Sequence, residues 1–147
     1  MHFFSFLTHP SDAQIDEILS LYRAAGWWQA SGSKESDASH IRDLISGSHC
    51  FVIATLRTAS DRDQPIIGMG RSISDGVSDA YIQDVVVKPA HRGQGIATQI
   101  IERIVNRLQT DRIGWIGLIA ERNTQNLYNP IGFEPMADST PMLYRKK

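Results

Sequence analysis

The sequence predicts a single α/β domain over residues 1–147. Its sheet is mixed and mostly antiparallel, with one parallel strand pair at the centre and helices on its faces. Three observations predict it. Segments of helical and of alternating apolar periodicity follow one another in the order βααβββαβαββ. Two β-rich runs, 50–56 and 65–74, flank a polar loop at 58–64 and read as a hairpin. A valine-rich run, 81–87, breaks at Lys88-Pro89, passes through a glycine-rich turn and enters an apolar-periodic helix.

Along the chain, residues 2–7 form a short apolar strand candidate. Ser11 or Asp12 can cap a helix in which Ile15, Ile18, Leu19 and Tyr22 fall on one face, and Gly26 ends it. Residues 31–36 are polar and turn-like, and Asp37 or Ser39 opens a second helix running through Ile45 to Gly47. The hairpin and the valine-rich strand follow. A helix from about Gly95 to Gln109 then places Ile96, Ile100, Ile104 and Leu108 on one side. A strand at 113–120, a short helix around Tyr128 and two closing strands complete the order, the last at 141–145, where it could pair or swap between copies to make a homodimer.

Composition bounds the function. A chain of 147 residues is near the usual single-domain length and can bury a sizeable core. The formal net charge of −1 excludes a nucleic-acid or membrane partner held by bulk electrostatics. Cys50 is alone, so no internal disulfide forms, and a reducing cytoplasm fits. No apolar stretch approaches a membrane-spanning length, and the first ten residues lack the basic start of a signal peptide. The five histidines are scattered, with no His-x-x-x-His or Cys–His pairing, so no metal is assigned.

The most informative stretch is 85–98, VVVKPAHRGQGIAT. Gly93 and Gly95 lack a Cβ, so a ligand can approach the backbone closely. The first turn of the next helix offers unpaired N–H groups and the positive end of its dipole. Together these seat an anion, most naturally a phosphate or diphosphate, and Arg92 can add a charge-assisted contact. The mononucleotide P-loop fails because Gly95 is followed by Ile96, Ala97 and Thr98 rather than Lys-Ser/Thr. The dinucleotide fingerprint fails because Thr98 stands where its third glycine or alanine belongs.

The segment resembles motif A of the GNAT superfamily, the acyl-CoA-dependent N-acyltransferases: Arg/Gln-x-x-Gly-x-Gly/Ala after a valine-rich strand. Arg92, Gly95 and Ala97 match it, with Gly93 and Gln94 as typical fillers. A second block, Leu127 to Phe133 (Leu-Tyr-x-x-x-Gly-Phe), looks like the family's motif B. Asn123 lies five residues before Tyr128, where the family often has an asparagine seven before, and Pro130 shortens the helix. The resemblance covers roughly residues 51–144. It implies a GNAT-like fold, acetyl-CoA as co-substrate, and cofactor contacts from Arg92, Gly93, Gln94, Gly95, Ile96, Ala97, Thr98 and Asn123. It also implies that backbone groups of Val85 and Val87 bond the pantetheine arm like an added strand.

Acetyl transfer to an amine requires that the thioester be held, the amine be neutral when it attacks, and the oxyanion and leaving thiolate be stabilised. Tyr128 is the general-acid candidate. A phenol with pKa near 10 can protonate a thiolate whose conjugate thiol is about 8.5 without being ionised at rest. Its alternative role is structural, packing the small helix on the sheet. Asp84 is the base candidate. It stands in a string, Ile82-Gln83-Asp84-Val85-Val86-Val87, similar to the Glu-Asp-Val-Val-Val strand of glucosamine-phosphate acetyltransferases. Alternation puts Gln83 and Asp84 on opposite sides unless a bulge intervenes. If buried, desolvation would tune Asp84 upward. A strand-edge aspartate bonding amides, or a base-free route through ordered water, stays open.

Acceptor recognition is expected from Tyr22, Trp27, Trp28 and Gln83. Two adjacent tryptophans cannot share one core, so one lines a cleft where aromatic faces attract an ammonium, or both latch over the sheet. Direct attack in a ternary complex on a small-molecule or peptide primary amine is the expected chemistry, since no nucleophile is well placed. The competing class is a non-catalytic CoA-binding sensor or interaction module.

Overall fold

The structure, a computed structural model, describes residues 1–28, 32–57 and 64–146. The turn expected at 31–36 therefore begins outside the described residues, and so does most of the polar hairpin loop at 58–64. Strand β1 spans His2–Phe6, helix α1 Asp12–Ala24, helix α2 Lys34–Gly47, and strands β2 to β4 Cys50–Leu56, Ile66–Ser74 and Asp79–Val87. After a 3-10 turn at Pro89–His91 come helix α3, Ile96–Thr110, strand β5, Trp115–Leu118, and a short helix α4, Gln125–Tyr128, which tightens into a 3-10 turn at Asn129–Ile131.

Local chemistry fixes the helix starts. Ser11 caps α1 through a reciprocal box in which its hydroxyl accepts from the Gln14 N–H and the Gln14 amide accepts from the Ser11 N–H. Helix α2 starts at Lys34, capped by Ser33, and not at Asp37 or Ser39. Asp37 is instead inside the helix and 2% exposed. Arg23 of α1 pairs with its Oδ2 at 2.9 Å, a contact between helices that no local capping signal reports.

The five strands lie in sequence order, β1-β2-β3-β4-β5. The first four are antiparallel neighbours, and β4 with β5 is the parallel pair. The mixed sheet flanked by helices is as expected. Its parallel pair, however, lies at one end and not at the centre, because no strand forms after β5 among the described residues. The two closing strands are absent there for a backbone reason. Pro135 and Pro141 lack N–H donors, and Asp138 turns left-handed at φ 53°.

Strand alternation splits the core in two. Val52, Ala54, Ile67, Ile82 and Val87 meet Ile96, Ile100, Ile104 and Leu108 of α3. Phe51, Ile53, Ile66 and Met69 on the other face meet Ile15, Ile18, Tyr22, Ile41 and Ile45 of α1 and α2. Helix α3 approaches closely over Gly70, where a Cβ would lie 2.7 Å from Ile100 Cγ2. That contact brings the amino end of α3 down onto the end of β4.

Candidate active site

Two irregularities in β4 create the site. First, Arg71 of β3 pairs with Gln83 while Met69 pairs with Val86, so two β4 residues, Asp84 and Val85, oppose Gly70 alone. This is a β-bulge, and Asp84 takes the left-handed conformation at φ 57°. The bulge resets the alternation. Ile82 points to the α3 core, and so do Val85 and Val87, while Val86 packs on the α1 side. Asp84 faces that same α1 side, where Tyr22 and Arg71 meet it.

Second, β5 pairs with β4 only from Asp79 to Ile82. Beyond that, the two parallel strands part, and on the β5 side the β4 edge from Gln83 to Val87 has no strand beside it among the described residues. The Lys88 N–H donates to Ile67 O at 2.8 Å, toward β3. By alternation Val86 also turns to β3, while the backbone groups of Val85 and Val87 turn to the open edge. The Val87 carbonyl there accepts from Arg92 Nε at 3.0 Å, which pins the guanidinium at the mouth of the turn.

The turn itself is an anion cradle. Gly93 and Gly95 both adopt left-handed backbone, at φ 73° and 74°, and a Cβ on either would meet no protein atom within 4 Å. Gly95 is the N-cap of α3, and the first N–H to find a helical partner is Gln99, bonded to Gly95 O at 3.1 Å. Among the described residues, no hydrogen bond engages the N–H groups of Gly93, Gln94, Gly95, Ile96, Ala97 or Thr98. Ile96 is buried in the α3 core, so only its backbone can serve a ligand. A run of free amides, an unobstructed hollow and a helix dipole fit a diphosphate.

On the α1 side, Asp84 Oδ2 accepts from the Tyr22 hydroxyl at 2.8 Å and from Arg71 Nε at 2.5 Å. Arg71 reaches on to Ser48 Oγ at 3.4 Å. No bond to Asp84 Oδ1 is present among the described residues. Burial first, then the adjacent Asp84 charge, push the Tyr22 phenol far above its ordinary range, so it remains a neutral donor. The strand-edge alternative, an aspartate bonding backbone amides, is not what forms; its partners are side chains. Arg71 was not singled out in the sequence. The legible signal was a lone charge inside the apolar run Ile66 to Ser74.

Tyr128 comes from the opposite face. It packs on the α3-side core that includes Val85 and Ala97 and meets Phe133 edge-to-face at 6.0 Å. Burial, helped by the Glu121 charge, raises its phenol above the ordinary tyrosine range. Its hydroxyl has no hydrogen-bond partner among the described residues. Asp84 and Tyr128 thus belong to the two layers on either side of β4.

The adjacent tryptophans divide. Trp28 joins the helix pair, with its Nε1 donating to Asp37 Oδ1 at 3.4 Å and its ring against His40 and Tyr22 at 4.6 and 5.8 Å. Trp27 stays 39% exposed, edge-on to Tyr22 at 6.3 Å. Gln83 is exposed on the open part of β4. Asn123 is exposed and left-handed, φ 60°, in the connection from β5 to α4. Cys50 is 6% exposed against Ser72 Oγ at 3.2 Å, and burial raises its thiol, so it is no nucleophile for this site.

The profile of the acetyltransferase (GNAT) domain family matches residues 46–135, which contain the bulged strand, the cradle and Tyr128. The chain belongs to the GNAT acetyltransferase family. Over 84% of its length it is 28% identical to histone acetyltransferase TAP1 of Glycine max, of which it covers 53%. It spans about half, or less, of the length of several such curated relatives. Its fold is shared with a probable acetyltransferase of meticillin-resistant Staphylococcus aureus, at TM-score 0.74 and 23% identity with 100% of each chain covered. The same fold occurs in an acetyltransferase of Clostridium acetobutylicum crystallised with acetyl-CoA, at TM-score 0.67 and 17% identity, covering 97% of this GNAT chain and 96% of the other.

Proposed function

We propose that this GNAT domain is an acetyl-CoA-dependent N-acetyltransferase acting on a primary amine of a small molecule or peptide, by direct attack in a ternary complex. The observation that carries the reading is the parted β4 edge leading straight into a cradle of free amides. The acetyl-CoA-bound relative with this fold supports it. When bound, acetyl-CoA supplies the activated thioester. The N–H groups of 93–98 and Arg92 hold the diphosphate, and the backbone of Val85 and Val87 aligns the pantetheine arm.

Asp84 receives the amine on the α1 side. Tyr22 and Arg71 fix its Oδ2, so Oδ1 is the atom offered to an incoming ammonium and the first acceptor of its proton. Onward loss of the proton to solvent water completes the step. Gln83 and Trp27 border the same approach and bind the acceptor. From the α3 side the neutral Tyr128 hydroxyl donates its proton to the departing sulfur and is reprotonated from solvent, to which the acylated nitrogen releases its remaining extra proton. Asn123 contributes to the cofactor side.

The test is release of free thiol from acetyl-CoA with a panel of primary amines, paired with mass spectrometry of the acetylated product. Turnover that survives in both Asp84→Asn and Tyr128→Phe overturns these roles. Tight CoA binding with no amine acetylated replaces the reading with a CoA-responsive module.

A further inference from the structure

Helices α1 and α2 cover only part of their face of the sheet, packing on Phe51, Ile53, Ile66 and Met69. Past Met69 on that face come Arg71, which reaches Asp84, and then Ile73. Tyr81 pairs in register with Ile73, and Gln83 with Arg71, so these side chains share the face on which Asp84 stands. Strand β5 extends it, with Trp115 paired to Asp79 and Gly117 to Tyr81. Ile73, Tyr81 and Trp115 are 38, 45 and 38% exposed and join neither half of the core.

The strip is built flat. Gly117 has no side chain, and the Trp115 ring fills the space above it; a Cβ there would lie 2.4 Å from Cη2 and 2.6 Å from Cζ3. The indole therefore lies down on the sheet, tilted against the Tyr81 ring at 5.0 Å between centroids. Rings so placed offer faces and edges to a further ring. Asp84, just beyond Gln83, ends the strip with a carboxylate whose Oδ1 has no hydrogen bond among the described residues. Asp79, at the other end, opens β4 and lies roughly 25 Å from Val87 along the strand, too far to present an amine there.

We propose that Tyr81 and Trp115 select the acceptor: a primary amine joined by a short carbon tether to a flat aromatic ring, with the ring on the Tyr81–Trp115 strip and the ammonium on Asp84 Oδ1. This substrate class rests on the N-acetyltransferase reading with Asp84 as the anchor of the amine. Charge and shape act together: the carboxylate draws the cation, and the ring gains stacking geometry and burial of apolar area. From Tyr81 to Asp84 is about 10 Å along the strand, and a hydrogen bond of about 2.8 Å at the carboxylate leaves room for a short tether. An aliphatic amine reaches Asp84 equally well but offers the two rings no flat partner. A peptide would need backbone partners, and those of β4 from Asp79 to Ile82 are engaged by β3 on one side and β5 on the other.

Initial rates with 2-phenylethylamine and 2-cyclohexylethylamine, which share a carbon skeleton, give the preference as a ratio of kcat/KM values. The unaltered chain is expected to favour the aryl amine about three- to tenfold. Trp115→Ala is expected to bring the ratio close to one. Gly117→Ala keeps the tryptophan but sets a methyl group where its ring lies, and is expected to lower the ratio in the same direction. Far-UV circular dichroism and the CoA-induced rise in Tm check that each variant is folded. If no amine is acetylated, the acetyltransferase reading falls and this substrate class with it. Turnover without an aryl preference, or a preference that survives both substitutions, overturns the ring platform alone. So does an unchanged ratio in Trp115→Ala accompanied by a halved sedimentation mass, which assigns the strip to a second copy of the chain.

Discussion

Replacing Gly95 by alanine separates the cradle's role from its backbone cost. Gly95 has φ 74°, a conformation that costs an L-residue about 1–2 kcal/mol. At about 2–4 °C per kcal/mol for a domain of this size, Tm should fall by about 2–8 °C. No protein atom lies within 4 Å of the new methyl group, so nothing else in the fold opposes it. What the methyl does occupy is the hollow offered to the diphosphate. Loss of one charge-assisted hydrogen bond costs about 1.5–3 kcal/mol, so affinity for CoA should drop about tenfold to a hundredfold. Gly76, in the turn from β3 to β4, is a matched control. Its φ is 76°, its Cβ position is equally open, and it is remote from the cradle in sequence. Calorimetric titration and thermal shift with and without CoA read both variants. Each tenfold of lost affinity removes about 1.4 kcal/mol of ligand-induced stabilisation at saturating CoA. Both variants should lose Tm, and only Gly95→Ala should lose the CoA-induced rise. Equal Tm losses with equal, undiminished CoA responses would refute the assignment of the cradle.

Tyr128→Phe should lower kcat by about 10²–10⁴-fold with little change in the KM for acetyl-CoA. Because burial raises the phenol above its ordinary range, wild-type activity should show no alkaline loss near neutral pH from deprotonation of this acid; a falling limb near pH 8 traced to Tyr128 contradicts the role. Asp84→Asn tests the carboxylate cleanly, since asparagine also tolerates left-handed backbone. It should cost about 1–3 kcal/mol of stability, between exposed and buried ion-pair values, because Arg71 and Asp84 side chains are 13 and 21% exposed. It should also reduce kcat/KM for the amine while sparing CoA binding; unchanged amine kinetics exclude Asp84 from the chemistry. Asp75 accepts from the N–H groups of Val77, Ser78 and Asp79, and these bonds hold its carboxyl well below the ordinary range. A depressed carboxylate adds stability above its unfolded pKa, about 3.9, which is lost as pH falls below it. Urea melts at pH 7 and pH 3 should therefore show a smaller pH-dependent loss in Asp75→Asn than in the unaltered chain.

How much of this was legible in the sequence depended on whether the cause was local. The helical faces of α1 and α3, the hairpin strands and the glycine turn are written in periodicity and turn chemistry, and they formed where those signals put them. The cradle was legible for the same reason: Gly93 and Gly95 precede an apolar-periodic helix, and its first amides have no partners by construction. Asp84 shows the limit. Its neighbours Gln83 and Val85 read as plain alternation, and only the pairing of Arg71 with Gln83 and Met69 with Val86 reveals the extra residue. Tyr22 was read as an acceptor contact, but its partner is Asp84, 62 residues away, a distance no window spans. Likewise Asp37 looked like a helix cap, while Arg23 and Trp28 claim it from another element. The segment after Phe133 carries strand-like residues, yet Pro135, Pro141 and the left-handed Asp138 interrupt the extended backbone a strand needs.

The most direct test of the central claim is an amide-resolved NMR titration of the 15N-labelled protein with acetyl-CoA. The N–H groups of Gly93 to Thr98, together with those of Val85 and Val87, should move first and furthest, with the diphosphate-bearing half of the molecule alone reproducing the shifts at 93–98. Saturable binding that leaves those amides in place, or no binding at all, contradicts the account.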